Sequence, residues 1–185
     1  MNTTLFAAIL LAIIAFQAAA LGFLGQPPIC VCGQIKFWEG DVFSSGTSQH
    51  LSDWYSFTHL LHGVMFYFLL WFVARTLPVS RRFLLALGLE AGWEIIENLP
   101  VVIQLYRQQA TAQGYVGDSI VNSLSDTLMM ALGFIAAWRL PPRVTLALFI
   151  AIEFALAFAI RDNLTLNMLN LIHRFEIVDH WQRGA

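Results

Sequence analysis

Charge is the scarcest commodity in this chain: 12% of its 185 residues are charged and 58% are hydrophobic, where a soluble domain carries about 25% charged residues. So few polar groups cannot cover that much apolar surface in water, which excludes a soluble monomer. The ten Lys and Arg are scattered and the net charge is −2, so there is no basic stripe and nucleic acid is excluded as a partner. No linker or low-complexity stretch is long enough to separate one domain from another, and a single domain over 1–185 is expected. Glycine loops for phosphates and dinucleotides are missing too, since Gly22, Gly25 and Gly33 do not sit between a strand and a helix. A soluble cofactor is therefore not expected. No internal repeat recurs at a fixed period. A basic n-region is also lacking in Met1-Asn2-Thr3-Thr4, so the first apolar run reads as an uncleaved anchor rather than a signal peptide, although Ala18-Ala19-Ala20 offers a small-residue cleavage site.

What the chain has instead is long apolar runs. Leu5 to Leu24 is long enough to cross a hydrocarbon core, which takes roughly 20 helical residues. Further runs cover Phe57 to Val73, Phe83 to Ile103 (interrupted by Pro100), Asp118 to Trp138 and Val144 to Ile160, ending at Arg161-Asp162-Asn163. The expected fold is all-α: a polytopic membrane helix bundle of about five transmembrane helices. Segment 164–181 mixes Leu166, Leu169, Ile172, Phe175 and Trp181 with Arg174, Asp179 and His180, which predicts one C-terminal helix lying in the interface. Arg75, Arg81, Arg82, Arg139 and Arg143 fall in alternate turns, while the loops around 25–56 and 104–117 hold only Lys36 and Arg107. By the positive-inside rule the basic turns and the N-terminus are cytoplasmic, and the two other loops and the tail are outside. Trp38, Trp54, Tyr55, Trp138 and Trp181 are expected as interface anchors.

Against this apolar background the ionisable residues stand out, because a charge near the bilayer centre costs about 2.5–3.5 kcal/mol on insertion scales. Glu90, Glu94 and Glu97 lie at i, i+4 and i+7, on one helix face. Asp118, Asn122 and Asp126 lie at i, i+4 and i+8, and His59 and His62 form an i, i+3 pair. The proposed topology puts His59, His62, Glu94, Glu97, Asn98, Asp118, Asn122, Arg161, Asp162 and Asn163 in the outer half of the membrane or at its outer surface. Asp126, Glu90 and Glu153 lie deeper, and Glu153 is expected to pair with a neighbouring span. A polar cavity open to the outer face is the expectation; the alternative is that these groups only pair with one another and hold the bundle together. Cys30 and Cys32 lie in an outer loop where disulfides are permitted. Their i, i+2 spacing is awkward for a mutual bond, and a structural disulfide or free thiols precede any metal or redox role.

The sequence Trp93-Glu94-Ile95-Ile96-Glu97-Asn98, followed by Gly117-Asp118 with Asn122-Ser123 and Asp126, and then by Arg161-Asp162-Asn163-Leu164 with Asn167, resembles an uncharacterised bacterial family of small multi-pass inner-membrane proteins. That resemblance covers nearly the whole chain and implies a plasma-membrane location and no activity. Asp118 and Asn122 are also loosely similar to the acid-then-Asn signature of VanZ-like membrane proteins, with Ser125 where that signature has Gly.

Three functions fit these residues. In the first, an enzyme works on an envelope lipid as a hydrolase or transferase. Candidate catalytic residues are Glu94, Glu97, Asp118, Asn122, Asp126 and Arg161, with Glu94 or Asp118 as base on a water, its partner as acid, and Arg161 steadying an oxyanion or phosphate. His59 and His62, with Glu94 or Glu97, are the candidate ligands of a divalent metal. No serine or cysteine motif of a covalent catalyst is present. The second is an accessory or scaffold protein that docks a membrane partner or a second copy of itself. The third is a component of a proton-coupled transporter, which would have to be a homo-oligomer. Membrane lipid is the expected small partner.

Overall fold

The computed structural model describes residues 2–184, whose regular secondary structure is all helical apart from an isolated bridge between Glu39 and Asp53. Helices α1 (Thr3–Phe23), α2 (Ser56–Val73), α5 (Ile120–Arg139) and α6 (Pro142–Ile160) are each long and apolar enough to cross a membrane. Between them lie α3 (Val79–Glu97) and the short α4 (Pro100–Tyr106), and α7 (Leu164–Ile172) and α8 (Glu176–Arg183) close the chain. Polarity is inverted relative to a soluble protein: Phe23 and Phe158 are 92% and 86% exposed while Glu90 and Glu94 are fully buried. An apolar outer surface around a polar interior is what lipid as solvent demands, and the chain is a helical membrane bundle.

α3 has the length of a span, 19 residues, but its charged residues keep it out of the set that hydropathy alone identifies. The structure explains why: Glu90, Glu94 and Glu97 are buried while Leu85, Leu89 and Ile96 face outward. Its packing against α1, α2 and α5 supplies what its composition does not. The expected run to Ile103 stops early. Pro100 cannot donate to Ile96 O and forces Leu99 into an extended conformation, so α3 ends at Glu97 and α4 starts afresh at Pro100.

α2 and α5 make the closest helix pair, and two glycines permit it. A Cβ at Gly63 would lie 1.9 Å from Met130 O, and one at Gly133 would lie 1.9 Å from Leu60 O. Backbones approach this closely in membranes only through small residues. Toward the basic end Leu70, Ala86, Leu87, Met130 and Phe134 form an apolar plug, with the Phe134 ring edge-on to Tyr67 at 5.2 Å and to Phe83 at 5.3 Å. Because α2 and α5 run opposite to α3, the polar ends of all three lie together beyond this plug. α1 is fastened by one polar residue, Gln17, whose Nε2 donates to Ser123 Oγ at 2.8 Å and whose Oε1 accepts from Thr127 Oγ1 at 3.0 Å.

The long 24–55 connection is not a free loop. Pro27 O and Pro28 O accept from Ile120 N and Val121 N at 2.8 and 3.2 Å, satisfying the first donors of α5. Gln49 Nε2 donates to Gly117 O at 2.6 Å, and Ser119 Oγ to Gln49 O at 3.0 Å. Gly117 has φ 96°, and a Cβ there would lie 2.5 Å from Gln26 Nε2, so only glycine fits. Cys30 and Cys32 are joined by a disulfide despite their spacing, with Cα atoms 5.2 Å apart, inside the usual range.

Two expectations need correction. The predicted single helix over 164–181 is two helices, α7 and α8, broken at His173 to Phe175. The turn brings Gln182 back against the bundle, where its Nε2 donates to Asp162 Oδ1 at 3.2 Å. Glu153 is not paired with a neighbouring span. It accepts from Leu164 N and Thr165 N at 3.0 and 3.1 Å, and so caps the start of α7.

The α2–α5 contact is testable. Gly63→Ala or Gly133→Ala should lower stability by about 1–3 kcal/mol through overpacking, whereas Gly88→Ala, where nothing lies within 4 Å of the added carbon, should be neutral or stabilising. Thermal unfolding of the purified protein in one detergent, followed by circular dichroism, measures the difference.

Candidate functional site

Above the plug the polar ends of α2, α3 and α5 enclose a cavity of about 240 Å³. His59, His62, Glu97, Asp118 and Asp126 line it together with the apolar Trp93, Leu164 and Met168, and residues from two loops, Val42–Ser44 with Thr47 and Ser48, and Ala110–Tyr115, complete its wall. Five of the eight residues singled out from the sequence therefore meet in one place. The helix faces explain this: the i, i+3 and i, i+4 spacings keep each set on one side, and that side is the one turned inward on each helix.

Glu90 is the residue that sequence reasoning left outside the site. Its Oε1 lies 2.7 Å from His59 Nδ1 and its Oε2 lies 3.1 Å from His62 Nδ1, so one carboxylate holds both imidazoles. Glu94 is fully buried one turn further on. Its Oε1 is 3.1 Å from His59 Nδ1, yet neither Glu94 oxygen has a hydrogen-bond partner, because the single proton of Nδ1 is directed at Glu90. His59, His62 and Glu90 form one group whose donor atoms are close enough to hold a metal ion, and His59, Glu94 and Glu97 form another. No Lys or Arg pairs with these carboxylates among the described residues.

Asp118 sits just before α5 and is clamped from two sides. Asn98 Nδ2 donates to its Oδ2 at 2.6 Å and Tyr115 OH to its Oδ1 at 3.0 Å, while its own N–H donates to Asn98 Oδ1 at 2.7 Å. Burial pushes the Asp118 carboxyl above its ordinary range, and the hydrogen bonds from Asn98 and Tyr115 oppose that rise. Glu97 and Asp118 lie side by side as a pair of carboxyls on the cavity wall. Asp126 lines the cavity and keeps Oδ1 without a partner.

The other sequence candidates are used differently. Asn122 is buried beneath the loop, its Nδ2 donating to His50 O at 2.8 Å, which makes it a fastener of the 24–55 connection. Arg161 does not reach the cavity. It is exposed, ends α6 in a left-handed conformation with φ 55°, and donates to Trp181 O at 3.3 Å. The acid beside it is the buried one. Asp162 accepts from Tyr55 OH at 3.0 Å, Thr111 Oγ1 at 3.1 Å, Asn163 N at 3.0 Å and Gln182 Nε2 at 3.2 Å. It thereby ties the start of α2, the α4–α5 loop, the α6–α7 turn and α8. No periodicity in the sequence signals this node, because its partners are loop residues far apart in the chain. Cys30 and Cys32 have donor atoms near His50, but the disulfide takes their sulfurs out of metal ligation.

A helical membrane bundle with a buried acid- and imidazole-lined cavity is the class these features define. The family model described as "Protein of unknown function (DUF2585)" matches residues 21–184. The chain is similar to a UPF0314 protein of Rhizobium etli, 48% identical over 94% of this chain and 89% of that protein. It is also similar to UPF0314 proteins of Sphingopyxis alaskensis, at 47% identity over 94% and 93% of the two chains, and of Brucella anthropi, at 44% over 96% and 90%. The chain belongs to this DUF2585/UPF0314 family of bacterial proteins. Of the two resemblances read from the sequence, these matches carry the one to an uncharacterised bacterial family. No solved structure matches it.

The Asp162 node yields a pH prediction. Burial pushes its carboxyl up from 3.8 to about 6. The folded protein therefore binds more protons here than the unfolded chain between these values. Stability is greatest below the unfolded value and falls as pH rises through the folded one. The difference amounts to roughly 3 kcal/mol. The stability of wild type relative to Asp162→Asn, followed by thermal unfolding in detergent from about pH 4 to about pH 7, should decline by that order.

Proposed function

We propose that this protein is a multi-pass enzyme of the bacterial inner membrane that draws an envelope lipid or lipid-linked substrate from the outer leaflet into the cavity and hydrolyses it or transfers a group from it. The observation that carries this reading is the Glu97–Asp118 carboxyl pair on the wall of a cavity that also offers Trp93, Leu164 and Met168 to an apolar chain. An amphiphile is the substrate class such a mixed lining fits. In this reading α3 is the fifth span, its acids inward and its leucines to lipid. The arginines at 75, 81, 82, 139 and 143 hold the plug end in the cytoplasm with the N-terminus, and the cavity faces outward.

The two carboxyls divide the chemistry. Asp118 accepts from Asn98 and Tyr115, and hydrogen bonds to a carboxylate favour its ionised form, so it is the base. It takes a proton from a water whose oxygen bonds to the ester carbon or phosphorus of the substrate. Glu97 gives its proton to the departing oxygen as that bond breaks. Arg161 has no part in this, because it faces away from the cavity.

A second reading is favoured by α6, which leaves Leu146, Leu148, Ile150, Phe154 and Phe158 exposed and packs only lightly on α2 and α5. That face suits lipid, a protein partner or a second copy of the chain, and an accessory role would use it. The third reading, a transporter component, has no such observation behind it.

The test is to incubate the purified protein in detergent with the total envelope lipids of Rhizobium etli and to follow every lipid class by mass spectrometry. The expected result is loss of one class by wild type, slowed about a hundredfold or more by Asp118→Asn and by Glu97→Gln. Folded wild type that leaves every class unchanged would overturn the enzyme reading and bring the accessory one forward.

A further inference from the structure

Five potential ligand atoms on four side chains lie within the polar half of the bundle, and the contacts between them are short even for a chelate. His59 Nδ1 is 2.7 Å from Glu90 Oε1 and 3.1 Å from Glu94 Oε1, and His62 Nδ1 is 3.1 Å from Glu90 Oε2. Donor atoms placed about 2.0–2.1 Å from a tetrahedral zinc ion lie about 3.3 Å from one another. The donor atoms of His59, His62 and Glu90 already lie within 4.8 Å of one another, and Glu94, which meets that group through His59, joins it by a change of its side-chain rotamer. All four side chains are at least nine-tenths buried, so none is merely a solvated surface group.

A second, independent observation points the same way. Glu94 is fully buried and directed at His59, yet both its oxygens lack a hydrogen-bond partner. A buried carboxylate left without a donor is costly, and nothing within the protein offers one: no Lys or Arg pairs with it among the described residues, and the facing imidazole is already engaged by Glu90. A cation shared among these residues removes the cost. Two neutral imidazoles, two carboxylates and one divalent ion sum to zero charge, the arrangement least expensive to keep in a membrane interior.

We propose that His59, His62, Glu90 and Glu94 form a binding site for one divalent transition-metal ion, zinc being the best fit to a two-imidazole, carboxylate set. The i, i+3 spacing on α2 supplies both imidazoles and the i, i+4 spacing on α3 supplies both carboxylates, so two helices suffice. The close α2–α5 contact at Gly63 holds α2 in place beside them. His59 and His62 also line the cavity, so a ligand entering it would meet the metal's surroundings from that side. The site stands whether or not the Glu97–Asp118 pair is catalytic.

The test uses full-length protein in detergent, stripped with chelator and then loaded with Zn²⁺ or with Co²⁺ as a spectroscopic probe. Metal content after desalting is measured by mass spectrometry, and the visible absorption of Co²⁺ reports its coordination. The expected result is one equivalent of retained metal with a Co²⁺ absorption characteristic of nitrogen and oxygen ligands. In His62→Ala and Glu94→Gln affinity should be weaker by about ten-fold or more, while His173→Ala, which lies far along the chain in the α7–α8 break, should bind as wild type does. Circular dichroism establishes that each variant is folded. Wild type that retains no metal, or metal retained equally by His62→Ala and Glu94→Gln, would overturn the site and leave the cluster as a hydrogen-bonded network. Because the readout is bound metal, its failure is distinct from failure of the lipid reaction.

Discussion

A carboxylate held in hydrocarbon must be neutralised or hydrogen-bonded, and the architecture of this protein follows from meeting that demand several times in one small bundle. Glu90, Glu94, Glu97 and Asp126 cannot face lipid, since each exposed charge costs about 2.5–3.5 kcal/mol near the bilayer centre. They turn inward, bring the imidazoles of His59 and His62 to them, and so fix how α2, α3 and α5 are rotated about their axes. The apolar plug of Leu70, Leu87, Met130 and Phe134 fills the other half of the same three helices. Polar and apolar halves are thus consequences of one requirement.

The loops at the polar end answer the same demand. Asp118 is given two donors and Asp162 four, and each carboxylate draws in segments that are distant in sequence. The 24–55 connection supplies the carbonyls that the first turn of α5 lacks. What would otherwise be flexible connections become a lid of fixed backbone over the cavity, which is the condition for a preorganised site.

The proposed chemistry falls to two neighbouring groups. In the roles proposed above, the Glu97–Asp118 pair on the cavity wall moves a proton, while His59 and His62, which share that wall, hold a cation together with the more deeply placed Glu90 and Glu94. Family membership gives neither a role, so both rest on geometry. Their proximity means that a metal in the second group would lend positive charge to the wall where a lipid head group would sit, in the place that Arg161 was expected to fill and does not.

The amino-acid sequence alone determined that the chain lives in a membrane, that it is helical, and that its polar residues gather toward one end, because these depend on local composition and on spacings that a helix converts directly into faces. The spans at α1, α2, α5 and α6 were legible for that reason, and so were His59, His62, Glu97, Asp118 and Asp126 as neighbours. Tertiary structure alone decided the rest. Hydropathy does not reveal that α3 hides its acids and turns leucine to lipid, that Glu90 holds both histidines, or that Asp162 rather than Arg161 is the buried member of its turn. Each of these depends on partners from segments tens of residues away, and a hydrogen bond across such a distance leaves no period in the sequence from which it could be read.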